Sequence, residues 1–129
     1  MNFPEEMKYT REHEWARVAG NRATIGVTEF AGDQLGDIVY VELPDVGDMV
    51  KKGESFGVVE STKAVSELFS PVTGKVVEVN DPLADAPETI NEDPYEEGWM
   101  IQVEISSPGE LGELMDAAAY TKFVQEEQD

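Results

Sequence analysis

A chain of 129 residues suits one domain, and with 28 acidic against 9 basic side chains it carries a formal charge of −19. Nucleic acid and anionic membranes, both bound chiefly through Lys and Arg, are therefore excluded as partners, whereas basic protein surfaces fit. With no cysteine and one histidine, disulfides, catalytic thiols, thiolate-bound metals and multi-histidine zinc sites are excluded as well.

The chain opens on Met1-Asn2-Phe3-Pro4-Glu5-Glu6, without the basic start and apolar stretch of a secretory signal, and no run approaches the ~18 apolar residues of a membrane span. The expected location is the cytoplasm. Met7 to Thr10 reads as a short strand, Arg11 to Val18 as a second, and Ala23 to Val27 as its return after the turn Ala19-Gly20-Asn21-Arg22. On that reading Glu12 and Glu14 share one side of a strand, because side chains alternate with a period of two. His13, with no second histidine or cysteine to act with, is expected to be packed or solvated. Thr28 caps a short helix over Glu29 to Leu35, and Gly36 stops it. Asp37 to Leu43 reads as a strand ending at Pro44, and two turns around a very short strand lead on to Phe56.

Gly57 to Leu68 holds two runs rich in β-branched and apolar residues around Ser61-Thr62-Lys63-Ala64, the pattern of a β-hairpin with a lysine at its tip. An exposed lysine has a pKa of ~10.4 and is protonated at neutral pH, so it is a substrate for modification rather than a nucleophile. Acylation would abolish its charge and leave a flexible tether on a rigid turn. Ser70-Pro71-Val72-Thr73-Gly74 then turns the chain into a strand over Lys75 to Asn80, and the stretches around Gly47 and Gly74 echo each other faintly. Asp81 to Tyr95 is expected as loop with at most a helical turn near Pro87 to Ile90. Trp99 to Ile105 alternates as a strand. Ser107-Pro108-Gly109-Glu110 predicts a capping box opening a helix from Pro108 to about Met115. Asp116 caps a last helix to about Glu126, with Tyr120, Phe123 and Val124 on one stripe.

Val59-Glu60-Ser61-Thr62-Lys63 resembles the attachment site of lipoyl carrier domains. His13-Glu14-Trp15, Thr24-Ile25-Gly26-Val27-Thr28, Leu35 to Pro44, Ser70 to Gly74, Pro94 to Met100 and Tyr120-Thr121-Lys122-Phe123 narrow the resemblance to the H-protein family of the glycine cleavage system. The segments fall in order and cover nearly the whole chain. The fold so implied is mainly β, a barrel-sandwich hybrid of two small antiparallel sheets with short peripheral helices including a C-terminal helical pair. One domain is expected over 1–129, with 107–127 as a helical extension packed on it.

The resemblance implies lipoate bound covalently to Lys63 by a lipoyl or octanoyl transferase or a lipoate ligase, and three enzyme partners. A glycine decarboxylase (P protein) loads the arm with an aminomethyl group, a tetrahydrofolate-dependent aminomethyltransferase (T protein) unloads it, and dihydrolipoamide dehydrogenase (L protein) reoxidises it. The chain itself has no catalytic residues on this reading. The resemblance also implies a carboxylate-lined cleft for the loaded arm, matched here by Glu14, with Glu12 and Glu67 standing where other members have Ser and Asp. A 2-oxoacid dehydrogenase lipoyl domain would be expected to have Asp before the lysine and a biotin carrier Met on both sides, whereas Thr62 and Ala64 flank Lys63. A lipoate-relay carrier and an unmodified scaffold of the same fold stay open. A stand-alone enzyme is disfavoured, since only carboxylates are left for catalysis.

Overall fold

Strand pairing divides the chain into two antiparallel sheets. The computed structural model, which describes residues 1–128, has nine strands: β1 (Lys8–Tyr9), β2 (Glu14–Ala19), β3 (Arg22–Val27), β4 (Ile38–Glu42), β5 (Met49–Val50), β6 (Ser55–Ser61), β7 (Val65–Phe69), β8 (Gly74–Val79) and β9 (Ile101–Ile105). One sheet runs β1-β2-β3-β9-β8-β5 and the other β4-β6-β7. Three α-helices, α1 (Glu29–Leu35), α2 (Thr89–Glu92) and α3 (Ala117–Gln128), and two 3-10 turns at Asp81–Ala84 and Pro108–Glu113 lie around them. The two stretches that echo each other in sequence are direct partners, Met49 opposite Lys75 and Val50 opposite Gly74.

Two apolar clusters hold the layers. Ile25, Val59, Leu68, Val76 and Val103 belong to the larger one. Each such side chain, once fully buried, contributes about 1.5–3 kcal/mol. The smaller cluster gathers Tyr9, Trp15, Phe30, Tyr95 and Tyr120 beneath the C-terminal helix. Tyr9 and Tyr120 stack at 4.6 Å with their rings 8° from parallel, and Val124 lies on the same buried stripe of α3.

Several local expectations agree with the structure. The Thr28 hydroxyl accepts from the Ala31 amide to cap α1, and Gly36 ends that helix with a φ of 79°. The Asp116 carboxylate accepts from the Ala119 amide at the start of α3. The expected capping box at Ser107 does not form: Ser107 makes no capping bond, the segment is a 3-10 turn, and Glu110 instead accepts from both the amide and the hydroxyl of Thr73 at 2.9 Å. A partner far along the chain outcompeted the local one. In the acidic loop the helical turn lies at Thr89–Glu92, and the additional turn at Asp81–Ala84 forms because Leu83 is buried in the larger core.

Gly57 on β6 passes so close to β4 that a Cβ there would come within 2.2 Å of the Glu42 carbonyl oxygen. That oxygen belongs to a paired strand and cannot swing aside. Gly57→Ala is expected to destabilise the chain by roughly 3 kcal/mol, read as a fall in the urea midpoint at unchanged slope. Gly109→Ala, where a Cβ meets nothing within 4 Å, should shift it by less than about 1 kcal/mol.

Candidate functional site

The β6–β7 hairpin carries Lys63 at its tip, as the flanking runs foretold. The turn lacks Asn-Gly and is built on Ser61 instead. The Ser61 amide donates to the Ala64 carbonyl at 2.8 Å, and its hydroxyl oxygen accepts from the amides of Lys63 at 3.3 Å and Ala64 at 3.1 Å. Serine hydroxyls substitute in this way for a backbone turn. The Thr62 amide donates to the Asp37 carbonyl at 3.0 Å, which ties the tip to the α1–β4 corner. The aliphatic stem of Lys63 crosses Gly36, where an added Cβ would lie 3.3 Å from its Cε. The residue is exposed, and among the described residues its amine makes no ion pair.

Outward from the tip, cross-strand partners form two rows on the outer face of the smaller sheet: Tyr40, Glu60 and Val65, then Glu42, Val58 and Glu67. Val65 is 67% and Tyr40 46% exposed. No Lys or Arg occurs on β4, β6 or β7. The sheet next to the lysine is therefore apolar and anionic.

Glu12 and Glu14 do not share a strand face, contrary to the alternation expected. The strand begins only at Glu14; Glu12 lies in the preceding turn, exposed, while Glu14 is 2% exposed. Arg11, Glu12 and His13 form a three-residue loop between Thr10 and Glu14, which pair across the ends of β1 and β2, and such loops place a left-handed residue last. That residue is His13, with φ 73°, the one non-glycine with positive φ among the described residues. The conformation costs a side chain about 1–3 kcal/mol.

Glu14 reaches from the larger sheet to the smaller. Its Oε1 accepts from the Thr10 hydroxyl at 2.7 Å and its Oε2 from the Phe69 amide at 3.2 Å, at the end of the strand that leads from Lys63. Burial pushes its carboxyl up to about 8, against the lowering effect of those two hydrogen bonds. At neutral pH this is mostly a neutral acid.

Beside it lies a cleft of about 360 Å³ whose walls include Thr10, Arg11, Glu12, Lys52, Ser70 and Glu113. Lys52 and Glu113 pair across it at 3.6 Å. The cleft is of mixed charge rather than purely acidic. Of the three carboxylates expected to line one pocket, Glu12 stands on this wall, Glu14 sits behind Thr10, and Glu67 faces outward on β7 with Phe69. Thr10, Ser61 and the Phe69 amide were not expected in the site; the Ser-Thr pair before Lys63 is the one local signal that pointed to any of them.

The aromatic surroundings of His13 form a directed chain. Burial lowers its pKa, opposed by Glu127. With a neutral ring, Nε2–H donates to the Glu127 carboxylate at 3.1 Å, and Nδ1 accepts from the Tyr120 hydroxyl at 2.8 Å. The Tyr120 oxygen then accepts from Thr28 at 2.8 Å, and Thr28 accepts from the Ala31 amide. Every hydroxyl in the chain has one donor and one acceptor.

A family model described as "Glycine cleavage H-protein" matches residues 7–127. A glycine cleavage system H protein of Anaeromyxobacter sp. (strain K) is 72% identical over 128 residues, covering 99% of this chain and 100% of the relative. The one from Myxococcus xanthus is 60% identical over 124 residues, covering 96% of each. The crystal structure of a glycine cleavage system H protein from Mycobacterium marinum aligns with a TM-score of 0.86 at 39% identity, over 98% of this chain and 100% of that one.

Proposed function

The chain belongs to the glycine cleavage H-protein family, and from that membership as lipoyl carrier of the glycine cleavage system we propose that lipoate is attached at Lys63 and served from there to the partner enzymes. The observation that carries the proposal is the exposed amine, without an ion pair among the described residues, on a turn pinned by Ser61 and Asp37. Such an amine fits acylation: a ligase or transferase can take the side chain into its own pocket by lifting its stem off Gly36, with no ion pair among the described residues to break. Lys63 would hold the lipoyl group, which would supply a redox-active disulfide able to carry an aminomethyl group between glycine decarboxylase and the aminomethyltransferase, with dihydrolipoamide dehydrogenase as the partner that would restore it. This chain's residues present the tether and shelter its load, and none acts on the reacting bonds. Among the described residues no helix is long and apolar enough to cross a membrane. As a separate part of the proposal, the work is placed in the cytoplasm and in one domain spanning 1–129.

Shelter falls to Glu14, with Glu12 on the neighbouring cleft wall; Glu67, turned outward on β7, takes no part in it. A cationic amine arriving next to Glu14 lowers the carboxyl's pKa, so the acid ionises as the cation seats and gains a charge-assisted partner in a largely dry place. Until then the neutral acid avoids a buried, uncompensated charge.

The apolar and anionic rows on the smaller sheet supply the docking surface, since every partner that handles the arm must approach Lys63 across them. Basic side chains around an apolar depression are their complement. In glycine-dependent carbon dioxide exchange with the decarboxylase, a Glu42→Lys, Glu60→Lys chain carrying lipoate should need roughly tenfold more carrier for half-maximal rate. Added salt should weaken the parent chain and narrow that gap. Equal rates for both chains at low salt would refute docking on this face, and no exchange with the lipoylated parent would refute the glycine cleavage assignment.

A further inference from the structure

The third position of the β1–β2 loop calls for glycine on backbone grounds, yet it holds a histidine at φ 73°. Turn formation alone does not account for that choice. What the imidazole adds is a set of contacts that glycine lacks. Its two nitrogens meet Tyr120 at 2.8 Å and Glu127 at 3.1 Å, both on α3. Its ring lies 4.8 Å from Phe30 of α1 and 5.9 Å from Phe123 of α3. Arg11, two residues earlier, rests over the Phe123 ring at 5.5 Å.

The same loop is closed toward the site. The Thr10 amide donates to the Glu14 carbonyl at 3.0 Å, the Glu14 amide to the Thr10 hydroxyl at 3.1 Å, and the Thr28 amide to the His13 carbonyl at 3.0 Å. Glu14 follows His13 directly, and its carboxyl spans to the Phe69 amide of the lysine-bearing sheet. Any rotation of the loop about His13 therefore moves Glu14 off that amide.

We propose that His13 is a positioning residue: gripped by Tyr120 and Glu127 of the C-terminal helix, it locks the Thr10 to Glu14 loop so that the Glu14 carboxyl stays seated on the Phe69 amide. The end of the chain thereby governs the receiving cleft. The functional weight of this clamp rests on the Glu14 reading above; its structural half does not.

The test is hydrogen exchange of the Phe69 amide followed by NMR in the unlipoylated protein, with the Val103 amide in the larger sheet as reference. Glu127 is partly exposed, so Glu127→Ala leaves the fold in place. It should speed exchange at Phe69 by roughly three- to tenfold relative to Val103, the range of one hydrogen bond. Glu127→Gln, which still accepts from Nε2, should restore protection. His13→Gly relieves the backbone and removes the ring; a residue that served only the turn would leave Phe69 as protected or more so, whereas the clamp predicts faster exchange. Unchanged Phe69 protection in Glu127→Ala and His13→Gly overturns the proposal, whatever Glu14 does. The half-life of the aminomethyl load on lipoylated Glu127→Ala separates the two layers. Faster Phe69 exchange with an unchanged half-life overturns the shelter role of Glu14 and the functional half with it, and a shortened half-life alongside faster exchange supports both.

Discussion

Lys63→Ala, incubated with lipoate, ATP and a lipoate ligase, is expected to keep its unmodified mass while the parent chain gains one lipoyl group. Intact-mass spectrometry reads the result directly. Loss should be complete, because Lys8, Lys51, Lys52, Lys75 and Lys122 lack the hairpin tip that offers the amine to an enzyme pocket. Lys52, for one, is held by Glu113 in the cleft. Lys63→Arg should fail equally, since it keeps the charge and the stem but not the acylatable amine. Both substitutions are at an exposed position with no ion pair among the described residues, so stability should move by less than about 0.5 kcal/mol. A lipoyl group found on Lys63→Ala would transfer the attachment site elsewhere and remove the basis of the proposed function.

The second large effect concerns pH. Glu14 titrates near 4.5 in an unfolded chain and at about 8 in the folded one. The raised value means that the folded state binds the extra proton between those limits, so its contribution to stability is fully present below pH 4.5 and is lost as pH rises through 8. At 1.36 kcal/mol per unit, the loss by pH 8 is about 3–5 kcal/mol, a large part of the 5–15 kcal/mol typical of a domain. Glu14→Gln mimics the neutral acid and does not titrate. Urea unfolding of both chains between pH 4.5 and 8.5 should give similar stability at the acid end and an advantage of several kcal/mol to Glu14→Gln at the alkaline end. Parallel curves would show that burial does not hold the proton on Glu14. The same substitution should shorten the life of an aminomethyl load, because an amide cannot ionise to meet the cation. Stability and retention would then change in opposite directions, as expected where a protein keeps an unfavourable group for its function.

What was legible in the sequence follows from how far apart the interacting groups lie. The cap at Thr28, the stop at Gly36 and the lysine hairpin depend on residues within a few positions of each other. Periodicity and turn chemistry exposed them. The start of β2 escapes local rules because a histidine occupies a left-handed loop position where those rules look for glycine, and the groups that hold it there, Tyr120 and Glu127, lie more than a hundred residues on. The capping box at Ser107 failed for the same kind of reason, its glutamate being claimed by Thr73. The burial of Glu14 depends on Phe69 coming alongside from the other sheet. No spacing rule contains that approach.

With lipoate attached at Lys63 as proposed, the bonds from Ser61 and Asp37 to the hairpin tip would also set the statistics of delivery. If the base of the tether wandered with its loop, its far end would be diluted over the volume swept by both. With the base fixed, only the arm's own rotations spread it, and its effective concentration at a docked active site approaches the millimolar range usual for short flexible linkers. Ser61→Ala, which frees the amides of Lys63 and Ala64, would thus dilute the carrier without touching its chemistry.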